Sequence, residues 1–391
     1  MKLSATKTTI IATGLAMFSM FFGAGNIVFP LAVGKYAQDQ NFYAIIGLLI
    51  TAVGVPFLGL IAMTLYNGNY VHFFERIGKV PGFLVALIIM GLIGPFGATP
   101  RLLTVSYSTI EIYFPNLDLY WFSICSCILI FLLTFRKNRI LDILGYVLTP
   151  LLLLSLAIII VKGIWFASTL PASTNQPLDI FMMGLHEGYQ TMDLPGAFFF
   201  SSIVLACLEG VDTSHETPGG KNYRKIISMT LNAGAIGMSL LALTYIGFSY
   251  VAAYHSPALE GISKDRILAN LALEILGPSA SMVAIAAVAL ACLTTAIALV
   301  AVFTEFLHFD IFRKKIGYIP SLIATLVLTF FISTWGFEGI AKILTPALLI
   351  SYPALIVLSI MNLLHKLYHV NIVKTPVYLT LAISLIAYLI G

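Results

Sequence analysis

The sequence predicts an all-α polytopic membrane protein of about eleven transmembrane helices, with the first and sixth discontinuous. Three observations carry that prediction. The 391 residues are 59% hydrophobic and only 10% charged, with a mean hydropathy of +0.98, whereas an average soluble domain is roughly 25% charged. Apolar stretches of the roughly 20 residues that a bilayer requires fall near 8–35, 41–66, 81–106, 119–135, 140–166, 178–209, 225–253, 281–305, 319–336, 340–363 and 375–390. Glycines and polar residues interrupt the first and the sixth stretch at mid-span. Nothing of domain size remains between the stretches, so the function is expected inside the bilayer. The first stretch is longer than a signal-peptide core and has no A-x-A site, so it reads as a retained helix.

Charge orients the chain. With the N-terminus inside, the inner loops collect 15 of the 21 basic residues, among them Arg76, Lys79, Arg136, Lys137, Lys221, Arg313 and Lys314. Lysine and arginine concentrate in cytoplasmic loops, so an N-inside topology is expected, and an odd helix count puts the C-terminus outside.

The first helix reads "FSMFFGAGNIVFP" over 18–30, with Gly23, Gly25 and Asn26 at its centre. Unwound backbone in a bilayer leaves amides and carbonyls unpaired, at several kcal/mol each when exposed to lipid, so it must face protein, water or a ligand. The first half-helix ends in carbonyls of partial negative charge and the second begins with amides of partial positive charge. A zwitterionic amino acid and a small cation match that arrangement. The carboxylate would meet the amides of Gly25 and Asn26, and the carbonyls of Ser19, Phe21 and Phe22 would hold a cation or an ammonium. A glycine kink at a helix crossing explains Gly23 and Gly25 equally well.

Loop 70–82, "YVHFFERIGKVPG", mixes apolar and basic residues and is expected along the inner surface. The third helix carries Gly91, Gly94, Pro95, Gly97 and Pro100; its small residues read as packing contacts. Ile89, Met90 and Leu92 are expected to form an apolar wall, and Arg101 is expected at the outer interface. The fifth helix contains "VLTPLLLLS" (147–155) and the tenth "ILTPALLIS" (343–351), alike at six of nine positions. By the topology above these run in opposite directions, as inverted repeats do.

In the sixth helix the interruption runs from Gly188 to Gly196 and holds Asp193 just before Leu194 and Pro195. An aspartate there suits a helix N-cap; an ionisable residue at membrane depth is also a functional candidate. The two roles are compatible. Glu187 and His186 either line an outer vestibule or simply reach water. Segment 258–278 has helical periodicity and fits an amphipathic outer helix. In the eighth helix Ala291, Thr294 and Thr295 stand at i, i+3 and i+4, on one face. Their oxygens suit a hard cation, although threonine hydroxyls in membrane helices commonly bond back to the preceding turn. His365 and His369 flank basic residues at an inner helix end and read as solvated. The four cysteines (Cys125, Cys127, Cys207, Cys292) lie within helices and lack metal or disulfide spacing.

Taken together, "GLAMFSMFFGAGNIVFP", "GPFGATPRLLTVSY", "GYVLTPLLLLSLAIIIVKGI", "EGYQTMD" and "ILTPALLISYPALIVLSI" resemble the bacterial branched-chain amino acid:cation symporters, also called branched-chain amino acid carrier II proteins. The likeness runs in order over nearly the whole chain. It implies import of leucine, isoleucine and valine driven by sodium, or by protons in some members, through a LeuT-type 5+5 inverted-repeat fold. That fold implies a single transport domain over 1–391, with repeats at 8–166 and 178–363 and an extra helix at 375–390. It implies substrate contacts at Phe21, Gly23, Gly25, Asn26, Tyr189, Gln190, Thr191 and Asp193, and a sodium site at Ser19, Phe22, Ala291, Thr294 and Thr295. The expected partners are the amino acid, Na+ as coupling ion and the lipid bilayer, with no cofactor and no nucleic acid; the expected location is the bacterial inner membrane. Family members usually have twelve helices against eleven here, which bears on peripheral contacts rather than on the ten-helix core. Rival readings are another neutral amino acid such as methionine, or proton coupling through Asp193. A membrane-embedded enzyme would need a set such as H-E-x-x-H or G-x-S-x-G, and neither occurs. A channel would want a filter or charged rings, which are not evident.

Overall fold

A computed structural model describes residues 2–135, 149–165, 167, 169–212, 223–277 and 282–390. These residues form helices and the turns between them. In chain order the α-helices are α1 (Lys2–Phe21), α2 (Ala24–Ala37), α3 (Asn41–Leu49), α4 (Val55–Leu65), α5 (Tyr70–Phe74), α6 (Lys79–Ile93), α7 (Ala98–Glu111), α8 (Leu119–Thr134) and α9 (Thr149–Trp165). They continue with α10 (Pro177–Tyr189), α11 (Asp193–Asp212), α12 (Tyr223–Tyr254), α13 (Ile267–Leu276), α14 (Met282–Phe306), α15 (Tyr318–Ser333), α16 (Gly336–Tyr368) and α17 (Lys374–Ile390). Five helical runs among the described residues are long and apolar enough to cross a membrane: 24–65, 79–111, 227–254, 287–311 and 336–368. Shorter apolar helices accompany them, at 119–134, 318–333 and 374–390. Outward-facing residues such as Ile128, Leu132, Val161, Trp165, Phe331 and Leu389 are apolar and exposed, a surface that lipid solvates and water does not. The protein is a multi-pass membrane protein.

Both interruptions are present and narrower than the sequence suggested. Only Phe22 and Gly23 separate α1 from α2, with Gly23 in extended backbone (φ −121°, ψ −159°); Gly25 and Asn26 lie in the first turn of α2. Gln190, Thr191 and Met192 separate α10 from α11, and Gly188 and Gly196 are helical on either side. Met192 takes a left-handed φ of 63°, a conformation that costs a non-glycine residue about 1–3 kcal/mol and is held only where the surroundings enforce it. A third interruption was not expected: α6 stops at Ile93 and α7 starts at Ala98, so the Gly94–Pro95–Phe96–Gly97 segment breaks the third helix as well as packing it. A π-type turn, Ile50–Gly54, joins α3 to α4.

Packing places the broken helices at the centre. Helix α1 contacts α11, α12 and α14; α2 lies along α12; α3 lies along α10; α4 lies along α11; and α7 lies along α14. Some of these crossings have no room for a methyl group. A Cβ at Gly34 would stand 1.9 Å from the Ser249 carbonyl oxygen, and Cβ atoms at Gly47 and Gly184 would stand 2.3 Å and 2.2 Å from the oxygens of Phe181 and Ala44. At one end of the bundle, α13 buries Ile267, Leu268 and Leu271, as the periodicity of 258–278 suggested. The preceding turn ties it down through Lys264 to Glu187 (2.6 Å) and Arg266 to Glu111 (2.6 Å). At the other end, Tyr70 donates to Asp310, linking α5 to the turn after α14. Burial and the Asp310 carboxylate hold the Tyr70 phenol well above its ordinary pKa, so it stays a donor at physiological pH. The first Thr-Pro segment begins outside the described residues; Thr149 and Pro150 open α9, whereas Pro346 lies inside α16.

Candidate functional site

A cavity of about 40 Å³ lies between the two breaks, lined by Phe21, Gly23, Ala24, Gly25 and Asn26 from the first and Thr191, Met192, Asp193 and Gly196 from the second. Ile93, Ala98, Arg101 and Leu102 close a third side, and Thr295 and Leu299 a fourth. That volume has room for a few waters.

Asn26 and Asp193 form the polar centre. The Asn26 amide nitrogen donates to both carboxylate oxygens of Asp193 at 2.9 and 2.8 Å and also contacts the Tyr245 hydroxyl. Tyr245 in turn donates to Asp193 at 2.9 Å. The Asn26 carbonyl oxygen accepts from the Gly23 amide at 2.9 Å, which caps the start of α2. One amide therefore holds both breaks together and anchors them to α12. Asp193 sits at the start of α11, as expected of a capping residue, yet these recorded bonds run to α2 and α12. The Leu194 amide donates to Tyr352 on α16 at 3.1 Å.

The other candidates divide. Thr191, whose hydroxyl donates to the Gly188 carbonyl at 2.9 Å, lines the cavity. Tyr189 does not; its ring stacks on Tyr352, centroids 4.6 Å apart. The Gln190 side chain turns to Thr345 (3.4 Å), leaving its backbone carbonyl beside the site. Of the cation candidates, Thr295 donates across helices to the Ser19 carbonyl at 3.3 Å, so α14 and the end of α1 do meet there. The Thr294 hydroxyl is bonded back to the Ala291 carbonyl at 3.0 Å, the local alternative raised by the spacing. Phe22 is buried and its amide still reaches the Phe18 carbonyl at 2.8 Å. Among the described residues no group of three His, Cys, Asp or Glu side chains is placed to hold a metal ion, and the His365 ring meets the Val370 carbonyl (2.9 Å).

The largest departure is Arg101. Instead of lying at an interface, it is 2% exposed and lines the cavity. Its Nη2 donates to the Gln190 carbonyl at 2.6 Å, and its guanidinium lies 4.9 Å from the Phe29 ring centroid and 5.8 Å from that of Phe337. The break at Gly94–Gly97 is the reason: it resets the register of the third helix, so Arg101 falls in the first turn of α7 facing inward. The same break replaces the expected wall of Ile89, Met90 and Leu92 by Ile93, Ala98 and Leu102. Glu187 pairs with Lys264 and is not part of the cavity lining, although its charge still reaches Arg101.

A cavity with a polar centre, held between discontinuous helices within an apolar bundle, is the arrangement of a secondary transporter. The fold agrees with solved structures of that class. The inward-facing structure of Mhp1 superposes with a TM-score of 0.62 at 14% identity, covering 97% of this chain and 88% of that one. The structure of MhsT in complex with L-phenylalanine gives 0.63 at 14% identity, covering 97% of both. These share the LeuT-type fold. The chain belongs to the branched-chain amino acid transport protein family, whose model matches residues 6–390. The branched-chain amino acid permease BrnQ of Bacillus subtilis is 31% identical over 395 residues, covering 97% of this chain and 85% of the relative. The family consists of transporters, not enzymes.

Proposed function

We propose that the protein imports branched-chain amino acids by sodium symport with alternating access, in a bacterial cytoplasmic membrane with its N-terminus inside. The observation that carries this reading is the joining of the two breaks by Asn26 and Asp193, beside the contact of Thr295 with the end of α1. The substrate ammonium is received at Asp193 and the side chain at Ile93, Leu102, Phe200 and Leu299, an apolar lining suited to aliphatic groups. Sodium is held by the carbonyls of Ser19, Phe22 and Ala291 with the hydroxyls of Thr294 and Thr295, the Thr294 hydroxyl turning from Ala291 to do so. Substrate and ion then raise each other's affinity by linkage. The packing supports two inverted repeats, 8–166 and 178–363, with 375–390 outside them: each broken helix lies against the helix that follows the other, α1 and α2 on α12, α10 and α11 on α3 and α4. The family and the name of the Bacillus relative support the substrate class.

Uptake of radiolabelled leucine into proteoliposomes, under an inward sodium gradient, an inward proton gradient or none, is the test. Sodium-driven accumulation is expected; proton-driven accumulation alone would move the coupling role to Asp193, and gradient-independent equilibration would sink symport. Thr295→Ala is expected to raise the sodium half-saturation about tenfold, the loss of roughly 1.4 kcal/mol of ligation. Thr294→Ala should do less, because its hydroxyl has a local partner to leave. Equal sodium dependence in Thr295→Ala and the parent would remove Thr295 from the ion site.

A further inference from the structure

Arg101 is not used by the reading above, and burying it is expensive. A cation at membrane depth is retained where it has a partner or a task. Its Nη1 is buried with no hydrogen-bond partner among the described residues, while Nη2 has the Gln190 carbonyl. Asp193 lines the same cavity and, with Glu187, attracts the guanidinium through space, but no ion pair among the described residues joins either carboxylate to it; Asp193 is bonded to Asn26 and Tyr245. The guanidinium also sits against the start of α2: a Cβ at Gly25 would stand 2.8 Å from Nη2. A helix N-terminus carries partial positive charge and favours anions, not cations. Two positive sources thus converge on one side of the cavity, and one of them has an unspent donor.

We infer that Arg101 is the receptor for the substrate carboxylate. This rests on the amino acid reading of the site and deepens it. The carboxylate takes Nη1 and the first-turn amides of α2, and the ammonium faces Asp193 across the cavity. The molecule recognised is then any α-amino acid zwitterion whose side chain fits the apolar lining, with Arg101 reading the acid group. The absence of a side chain at Gly25 is what lets the guanidinium and the helix start share one oxyanion. A planar fork suits a carboxylate better than an ammonium does, which makes lysine an imperfect replacement.

The test compares L-leucine with L-leucinol, which lacks the carboxylate, by isothermal titration of the purified full chain in saturating sodium. The parent is expected to prefer leucine at least about 100-fold, since a site built to bond a polar group rejects a ligand lacking it by large factors. Arg101→Gln should weaken leucine about 100-fold while changing leucinol less than about threefold; Arg101→Lys should weaken leucine about tenfold. Equal losses for both ligands in the two variants, at an unchanged thermal midpoint, would make Arg101 a structural clamp on the Gln190 carbonyl and overturn the inference. So would a parent that binds both ligands alike, a result that needs no variant to fold. A parent that binds neither but prefers methionine over methioninol by the same factor would refute the branched-chain reading and support the role of Arg101.

Discussion

Asp193→Asn is expected to cut initial leucine uptake about 100-fold or more while leaving the protein inserted and folded. The carboxylate accepts two bonds from the Asn26 amide and one from Tyr245, and hydrogen bonds to a charged group contribute about 1.5–3 kcal/mol each. An asparagine keeps the shape but presents one acceptor oxygen and a second donor, so its nitrogen confronts the Asn26 amide. A hundredfold fall corresponds to about 2.8 kcal/mol, expected of a group at which both breaks meet and which the proposed function gives to the substrate ammonium. Uptake by purified variant in proteoliposomes, normalised to reconstituted protein, reads the effect. A variant that retains most transport would confine Asp193 to capping α11.

Gly34→Ala is expected to give the largest loss of stability. The missing Cβ would stand 1.9 Å from the Ser249 carbonyl oxygen and 2.7 Å from its carbon, and both are backbone atoms with no rotamer to relieve the clash. Overpacking commonly costs about 1–3 kcal/mol and sometimes more; here the whole of α2 must move off α12, so about 3 kcal/mol or more is expected. The thermal midpoint in detergent should fall well below that of the parent, and Gly54→Ala serves as the control, since its Cβ would meet nothing closer than 3.7 Å. Equal midpoints for both variants would show that α2 and α12 separate easily.

The interruptions of the first and sixth helices are legible because glycines together with an asparagine or an aspartate interrupt apolar runs at mid-span. The threonine pair was legible as a face, since helical spacing fixes which residues share one. Hydroxyl direction is not encoded in spacing: Thr294 bonds within its own helix and Thr295 across to α1. The Asn26–Asp193 bond joins residues far apart in sequence, and nothing local to either names the other. Arg101 was misplaced for a more instructive reason. A continuous third helix carries it towards the interface, where long basic side chains usually go. The signal that corrects this is the Gly94–Pro95 step with Gly97 behind it, which ends one helix and begins another at a new rotation. Their small size by itself points only to packing.

One consequence of the narrow first break concerns leakage. Under the proposed function and the inferred carboxylate site, the ion is held by the end of α1 with the Phe22 carbonyl and the amino acid meets the start of α2, so only Gly23 lies between their ligands. Phe22 is fully buried and its amide remains bonded to Phe18, and the Gly23 amide is bonded to Asn26. So short and so pinned a connection has little slack with which to release one cargo and keep the other. On that reading slippage, the passage of sodium without its amino acid, would be restrained by so short a link rather than by a separate gate.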